Sequence, residues 1–240
     1  MNYLKNKTAL VTGASSGIGF EIVKYLSNFD MQIIITARRE GELIKLKEEV
    51  ESTSNSNVIV IAKDLAKPNS PQEIYDFCQS KNYEVEFLVN NAGYGFTDDF
   101  HSYDLDKLDD FLNVLLNSVV KLTRLFLEDM KERKSGKILQ VSSIAGIIPS
   151  GSGAIGIYGN IKNFINEFTI TLNSTYKKFN VHVCALCPGF TETGFNKRAG
   201  FNMQYSDVPS PFLMTAKQVA EQGVKACLKG KEIYVVRGGF

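Results

Sequence analysis

Short apolar runs recur along the whole chain, and most of them are rich in β-branched residues without alternating polar positions. Runs of this length and composition predict strands that are covered on both faces, as in a parallel sheet. Seven runs are predicted as strands, at residues 8–11, 32–36, 58–62, 87–89, 137–141, 181–186 and 232–236.

The segments between these runs carry apolar residues at helical spacing. Helices are predicted at residues 18–28, 40–51, 71–81, 105–134, 157–178 and 216–229. The alternation of strands and helices favours an α/β fold, a single doubly wound domain over residues 1–240 with a mostly parallel sheet of about seven strands. The stretch 189–214 has no clear periodicity, and a loop of this length is interpreted as the substrate-binding loop.

The composition of the chain argues against several classes of function. The net charge of +1 with 22% charged residues provides no basic surface for nucleic acid, so no nucleic-acid partner is expected. The apolar runs have the length of strands rather than of membrane spans, so no membrane partner is expected either. The first residues lack the long apolar core of a secretory signal, and a cytoplasmic protein is predicted.

Histidine and cysteine offer little metal or redox chemistry. His101 and His182 are isolated, so no metal site is predicted. Cys184 and Cys187 are three residues apart, but they fall in a predicted strand, where residues at this spacing point to opposite faces. The cysteines are therefore interpreted as small buried side chains in a reducing compartment.

A glycine-rich segment at residues 12–19, TGASSGIG, joins the first predicted strand to the first predicted helix. Gly13 allows a sharp turn, Gly17 allows close approach of a ligand to the backbone, and Gly19 allows the helix to pack near the strand. The free N–H groups at the start of the helix suit a pyrophosphate. Nucleotide binding is therefore the leading hypothesis.

Tyr158 and Lys162 place a phenol and an ammonium on one face of a helix. A carbonyl that accepts a hydride needs a proton, which a tyrosine can donate. A lysine at about 4 Å in an effective dielectric near 20 offers about 4 kcal/mol, which predicts a tyrosine pKa lowered by roughly three units. The same spacing occurs at Tyr3/Lys7 and Tyr103/Lys107, so the context decides. Ser143 follows a predicted strand at the sheet edge where such folds bind ligands, and it is placed to hold the carbonyl.

The order and spacing of several motifs resemble those of the short-chain dehydrogenases/reductases, and the resemblance covers essentially the whole chain: Thr12–Gly19, Asn90–Gly93, Ser143, Tyr158/Lys162, and Pro188–Gly189 with Thr191 and Thr193. The resemblance implies a Rossmann-type fold and a catalytic tetrad of Asn117, Ser143, Tyr158 and Lys162, with Asn117 anchoring a water in the proton relay. It also implies cofactor contacts from the following residues: Gly13, Ser15, Ser16, Gly17, Ile18, Gly19, Asp64, Leu65, Asn91, Ala92, Gly93, Tyr158, Lys162, Pro188, Gly189, Thr191 and Thr193. Asp64 is equally suited to cap a turn or helix. The residues between the tyrosine and the lysine are Gly-Asn-Ile, where members of the family usually carry small residues such as Ser-Ala-Ser, and Gly159 and Asn160 lower the local helix propensity.

The end of the second predicted strand indicates which dinucleotide is bound. An acidic residue there would bind the ribose hydroxyls of NAD and repel a 2′-phosphate. This chain instead has Arg38 and Arg39, whose guanidinium groups pair well with phosphate. NADP(H) is therefore favoured over NAD(H), although a solvated arginine pair is the alternative.

The expected function is the NADPH-dependent reduction of a ketone or aldehyde, or the reverse oxidation. Aromatic and apolar residues in the predicted loop favour a small, partly apolar substrate: Phe190, Phe195, Phe201, Phe212 and Met214. One alternative is a reductase of 3-oxoacyl thioesters, and another is a regulator that senses NADP(H) without turnover. The resemblance also implies a homodimer or homotetramer formed through the helices at 105–134 and 157–178.

Overall fold

Nine strands are present in the computed structural model, which describes residues 3–95, 100–148, 156–195, 206, 208 and 212–236. They are β1 (Thr8–Thr12), β2 (Gln32–Ala37), β3 (Asn57–Ala62), β4 (Val85–Asn90), β5 (Gly136–Val141), β6 (Val181–Cys187), β7 (Thr191–Glu192), β8 (Met214–Thr215) and β9 (Ile233–Val235). Seven form one sheet in the order β3-β2-β1-β4-β5-β6-β9. Every neighbouring pair in it is parallel, which confirms the predicted parallel sheet.

Helices cover both faces of this sheet. They are α1 (Gly17–Leu26), α2 (Glu40–Thr53), α3 (Ser70–Ser80), α4 (Leu105–Leu112), α5 (Ser118–Arg133), α6 (Gly156–Tyr176) and α7 (Ala216–Leu228). One apolar core joins the sheet to α1, α2 and α7, and a second joins it to α3, α5 and α6. Short 3₁₀ turns lie at Ser27–Phe29, Phe100–Ser102, Ile144–Gly146 and Lys177–Phe179.

The continuous apolar runs follow from this two-sided burial. In β1, Ala9 and Val11 belong to the core under α1, whereas Leu10 belongs to the opposite core, and all three are fully buried. Since successive strand residues point to opposite faces, a strand between two helical layers needs apolar residues at every position.

The predicted helix at 105–134 is interrupted. A π-helical turn, Asn113–Asn117, separates α4 from α5. The N–H of Ser118 donates to the Asn113 carbonyl, five residues back. The Ser118 hydroxyl donates to the Val114 carbonyl at 2.7 Å. The hydroxyl therefore satisfies a carbonyl that has lost its usual α-helical donor.

The cysteines are buried and free. Cys184 packs in the core with Cys227 of α7, and Cys187 contacts Asn166 of α6 on the other side of the sheet. This arrangement confirms that Cys184 and Cys187 point to opposite faces.

The short strands β7 and β8, which were not predicted, pair with each other and bracket the predicted substrate-binding loop at 189–214. Residues 196–205, 207 and 209–211 of this loop, including Phe201, lie outside the described residues. Within the described part of the chain, no helix is long and apolar enough to cross a membrane.

Candidate active site

A cleft of about 710 Å³ opens at the carboxyl edge of the sheet, where β1, β4, β5 and β6 end. Nearly all of the predicted cofactor residues line it: Gly13, Ser15, Ser16, Gly17, Ile18, Arg38, Arg39, Asp64, Leu65, Asn91, Ala92, Gly93, Tyr158, Lys162, Pro188, Gly189, Thr191 and Thr193. Gly19 does not line the cleft. It is buried where α1 packs against the turn, and a Cβ there would lie 2.6 Å from the Gly13 carbonyl oxygen.

The glycine turn leaves the start of α1 open toward the cleft. Gly13 has a φ of 67° and Gly17 a φ of 62°, a conformation that residues with a side chain adopt only with strain. Ser16 precedes the helix without a side-chain capping bond, and the first turn of α1 has no acidic residue. The free N–H groups and the positive end of the helix therefore suit an anionic group.

Thr12 and Asn91 hold this turn against the end of β4. The Asn91 amide donates to the carbonyl oxygens of Thr12 at 2.9 Å and Gly13 at 3.2 Å. The Thr12 hydroxyl in turn accepts the backbone N–H groups of Asn91 and Ala92, each at 3.0 Å. These bonds fix the glycine turn relative to the strand beside it.

Arginine side chains lie at the other end of the cleft, after β2. The Arg39 guanidinium donates to the Ser15 hydroxyl at 3.1 Å and to the Ser16 hydroxyl at 3.2 Å. Arg38 also lines the cleft. Asp64 acts as a local turn cap, since its Oδ1 accepts the Ala66 N–H at 3.1 Å, in agreement with the alternative predicted for it.

Ser143 and Tyr158 meet on the opposite side of the cleft. Ser143 precedes the 3₁₀ turn Ile144–Gly146 after β5, and its hydroxyl accepts the Ala145 N–H at 3.1 Å. The Ser143 hydroxyl is hydrogen-bonded to Tyr158, which lies in the first turn of α6. The Tyr158 ring packs against Phe195 with 5.7 Å between the ring centroids.

Lys162 lies one helical turn beyond Tyr158, and it is buried. Its ammonium donates to the Val141 carbonyl at 2.8 Å and lies 5.6 Å from the centroid of the Tyr158 ring. Burial lowers the pKa of Lys162 to about 8. Burial disfavours the charged form, and no carboxylate is among the groups that shift this pKa to offset that cost.

The predicted lowering of the tyrosine pKa is wrong for this arrangement. Burial raises the pKa of Tyr158 to about 12, and only the bond with Ser143 acts against that rise. The prediction assumed a lysine beside the hydroxyl, but the ammonium is bound to the Val141 carbonyl. Tyr158 therefore remains protonated near neutral pH, which is the form that a general acid requires.

Asn117 is not brought to the cleft. Its side chain is exposed at the end of the π-helical turn, and its amide donates to Asn113 Oδ1 at 2.9 Å. The residue of this segment that lines the cleft is Val114. The π-helical turn changes which side chains of this segment face the cleft, and it leaves the Asn117 side chain outside it.

Several residues that line the cleft were not identified from the sequence. Lys63 follows β3 and pairs with Glu73 at 2.5 Å, and Tyr94 follows the Asn91–Gly93 segment and packs edge-on against Phe111. Their positions directly after predicted strands were the available signal, because this is the edge where ligands bind in such sheets. Ala145 and Ile148 add apolar surface near Ser143.

Comparisons with known proteins agree with this fold. The family model for short chain dehydrogenases matches residues 7–203. The very-long-chain 3-oxoacyl-CoA reductase of Homo sapiens is 28% identical over 238 residues, which cover 97% of this chain and 73% of that protein. A ketoacyl reductase from a Nostoc species is 27% identical over 237 residues, covering 98% of this chain and 80% of that protein.

Among solved structures, a short-chain dehydrogenase from Sphingobium yanoikuyae in complex with NADPH has a TM-score of 0.87 at 21% identity, covering 95% of this chain and 87% of that one. The fold is therefore the Rossmann-type α/β fold. The chain belongs to the short-chain dehydrogenase family, and it is an oxidoreductase of the class that interconverts hydroxyl and carbonyl groups.

Proposed function

We propose that the protein reduces a ketone or aldehyde of a small, partly apolar substrate with NADPH, and catalyses the reverse oxidation with the same residues. The observation that carries this proposal is the meeting of Ser143, Tyr158 and Lys162 in the same cleft as the glycine turn. Bound NADPH would supply the hydride, and the protein would supply the proton.

The shape and polarity of the cleft fit a dinucleotide. The open start of α1 suits the pyrophosphate, and a Cβ on Gly13 would lie only 2.7 Å from the Ala92 Cα, so glycine alone fits this turn. Lys162 would bind the nicotinamide ribose, and Pro188, Gly189, Thr191 and Thr193 would flank the nicotinamide.

The charge at the adenosine end supports NADP(H) over NAD(H). Arg38, Arg39 and Lys63 line this part of the cleft, whereas an acidic residue that would repel a 2′-phosphate is absent from the end of β2. Arg39 is already oriented toward the glycine turn by its bonds to Ser15 and Ser16. Guanidinium groups bind phosphate through paired, charge-assisted hydrogen bonds.

The proton would come from the Tyr158 hydroxyl. Ser143 would orient the substrate carbonyl, since its hydroxyl already reaches Tyr158. The Lys162 ammonium lies 5.6 Å from the centroid of the Tyr158 ring, and it would stabilise the negative charge that develops on Tyr158 by turning from the Val141 carbonyl toward the hydroxyl. Asn117 has no part in this proposal because its side chain lies outside the cleft.

Apolar side chains at the mouth of the cleft support an apolar substrate portion. Ile148 and Phe190 line the cleft and are 49% and 40% exposed, which is unusual for large apolar side chains. Residues 189–214 would form the substrate-binding loop of a single domain. The same surface, together with the likeness to the human enzyme, favours a 3-oxoacyl thioester as the second candidate substrate.

Self-association and location are also proposed. Phe164 is 44% exposed on α6 and stacks on Phe168 with 5.6 Å between ring centroids, which provides an apolar face for a homodimer or homotetramer. The free, buried cysteines support a reducing, cytoplasmic location.

The test is the loss of NADPH and, separately, NADH absorbance with a panel of ketones, aldehydes and 3-oxoacyl thioesters. NADPH is expected to be preferred, and Arg39→Ala should raise the KM for NADPH by about tenfold or more while leaving that for NADH almost unchanged. Equal effects on the KM values of the two cofactors would contradict the proposed contact between Arg39 and the 2′-phosphate. Tight NADPH binding without turnover on any substrate would favour the sensing regulator instead.

A further inference from the structure

Asn166 lies on the same face of α6 as Tyr158 and Lys162, because the three residues follow one another at a spacing of four positions. Its side chain is 5% exposed. It is absent from the residues that line the cleft, so its amide serves contacts within the protein.

Those contacts join three elements of the site. The Asn166 amide donates to the Gly146 carbonyl at 3.2 Å, and Asn166 Oδ1 accepts the Cys187 thiol at 3.5 Å. Gly146 ends the 3₁₀ turn that starts after Ser143, and Cys187 ends β6 immediately before Pro188. Asn166 therefore ties α6 to the turn carrying Ser143 and to the strand that leads into the loop.

The 3₁₀ turn lies unusually close to the backbone of α6 at Lys162. A Cβ on Gly146 would lie 2.5 Å from the Lys162 carbonyl carbon and 2.7 Å from the Asn163 nitrogen. The Ser142 hydroxyl also donates to the Lys162 carbonyl at 3.0 Å, and the Asn163 amide donates to the Gly146 carbonyl at 3.0 Å. Of the two amides on the Gly146 carbonyl, only that of Asn166 is shielded from water.

The start of α6 needs such contacts because its own sequence stabilises it weakly. Gly156 begins the helix with a φ of 49°, and Gly159 and Asn160 have low helix propensity. The distance between Ser143 and Tyr158 therefore depends on bonds between the helix and the turn rather than on the helix alone.

We propose that Asn166 is a positioning residue, which holds Tyr158 and Lys162 in register with Ser143 through the Gly146 carbonyl. The proposal rests on the proposed function for its effect on turnover. Its structural part, the attachment of the 3₁₀ turn to α6, is independent of any substrate.

Asn173 provides a matched control on the same helix. It is also buried, its amide donates to Glu232 at 3.1 Å, and its Oδ1 accepts the Val183 N–H at 3.2 Å. It too joins α6 to other elements, but it lies almost two turns beyond Asn166 and outside the cleft.

The experiment compares Asn166→Leu with Asn173→Leu in three measurements: melting temperature, NADPH kinetics with the best substrate of the panel, and amide hydrogen exchange of residues 144–147. Both variants should lower the melting temperature by similar amounts. Asn166→Leu should lower kcat by about tenfold to a hundredfold with the KM for NADPH almost unchanged, since small misplacements of reacting groups have effects of this size. Asn173→Leu should leave kcat within about twofold.

Hydrogen exchange separates failure of this proposal from failure of the proposed function. Exchange of the Gly146 and Ile147 N–H groups, which donate to Ser143 and Ile144 carbonyls, should accelerate in Asn166→Leu and not in Asn173→Leu. Unchanged exchange would overturn the proposal even if the wild type has no turnover. Accelerated exchange with unchanged kcat in an active enzyme would overturn the positioning role. Asn166→Ser, whose short side chain lacks the amide, replaces the leucine variant if that variant does not fold.

Discussion

The two edges of the same sheet both hold buried ionisable groups, but the partners of these groups differ between the edges. At the carboxyl edge, the Lys162 ammonium has a carbonyl partner, and burial lowers its pKa to about 8. At the amino edge, the buried Glu86 of β4 accepts hydrogen bonds from the hydroxyls of Tyr3 and Ser135, and the Lys137 ammonium lies 5.6 Å from the centroid of the Tyr3 ring.

Two tyrosines make the contrast sharper. Burial raises the pKa of both Tyr3 and Tyr158. Tyr3 donates to the Glu86 carboxylate, which is 3% exposed, and neither residue lines the cleft, whereas Tyr158 faces the open cleft and is bonded to Ser143. The difference teaches that burial and a shifted pKa alone do not identify chemistry. An accessible reacting space beside the group is also required.

Apart from Tyr158→Phe, the largest effect is expected for Lys162→Met. Turnover should fall by about a thousandfold, since the ammonium that stabilises charge on Tyr158 is lost. Lys137→Met, which removes a buried lysine at the other edge, should leave turnover per folded molecule almost unchanged. Turnover is measured by NADPH oxidation. Comparable losses of turnover in the two variants would contradict the assignment of the chemistry to the carboxyl edge.

The same Lys162→Met variant predicts a change in the pH dependence of stability. The folded pKa of about 8 lies below the unfolded value of about 10.4, so the unfolded chain binds more protons between these two pH values. Stability of the wild type should therefore gain about 2 kcal/mol from this group as pH rises from 8 to 10, out of about 3 kcal/mol over the whole titration. Urea unfolding at several pH values should show this contribution missing from the variant. An identical pH dependence of stability in the wild type and the variant would contradict the lowered pKa of the buried Lys162.

Glu86→Ala tests the amino edge. It leaves the Tyr3 and Ser135 hydroxyls and the nearby Lys137 ammonium without their carboxylate, which should lower the free energy of unfolding by about 3 kcal/mol. Urea unfolding measures this loss, and turnover per folded molecule should stay close to that of the wild type. Glu86→Gln, which keeps an acceptor, should lose less. A large fall in turnover with unchanged stability would assign the chemistry to the amino edge and contradict this account.

The smallest effect is expected for Asn117→Ala. The Asn117 side chain is exposed, and among the residues that the structure describes its amide forms a hydrogen bond only with Asn113. The kcat should therefore change by less than about twofold. Steady-state kinetics with NADPH provide the measurement. A loss of a hundredfold would restore the proton-relay role that the family resemblance implied.

Much of the fold was accessible from the sequence because its signals are local. The seven apolar runs became the seven strands of the main sheet, and the glycine turn joined β1 to α1 as predicted. The gathering of Ser143, Tyr158 and Lys162 followed because each comes from an element that ends or begins at the same sheet edge. Parallel strands impose this convergence.

Other features depend on distant contacts that the sequence pattern does not contain. The π-helical turn at Asn113–Asn117 changes the helical register, which moved Asn117 out of the cleft. The raised pKa of Tyr158 depends on burial by elements far apart in the chain. Glu86 interrupts an apolar strand without any local signal for its partner Tyr3, which is 83 residues away.

The most direct test measures both turnover and unfolding free energy for Tyr158→Phe and Tyr3→Phe. Each variant removes one hydroxyl from a tyrosine whose pKa is raised by burial. Tyr158→Phe should abolish nearly all NADPH-dependent turnover with little change in stability, and Tyr3→Phe should lose about 1–2 kcal/mol of stability with turnover per folded molecule retained. Turnover that survives Tyr158→Phe, or that is lost equally in Tyr3→Phe, would contradict the assignment of chemistry to the carboxyl edge.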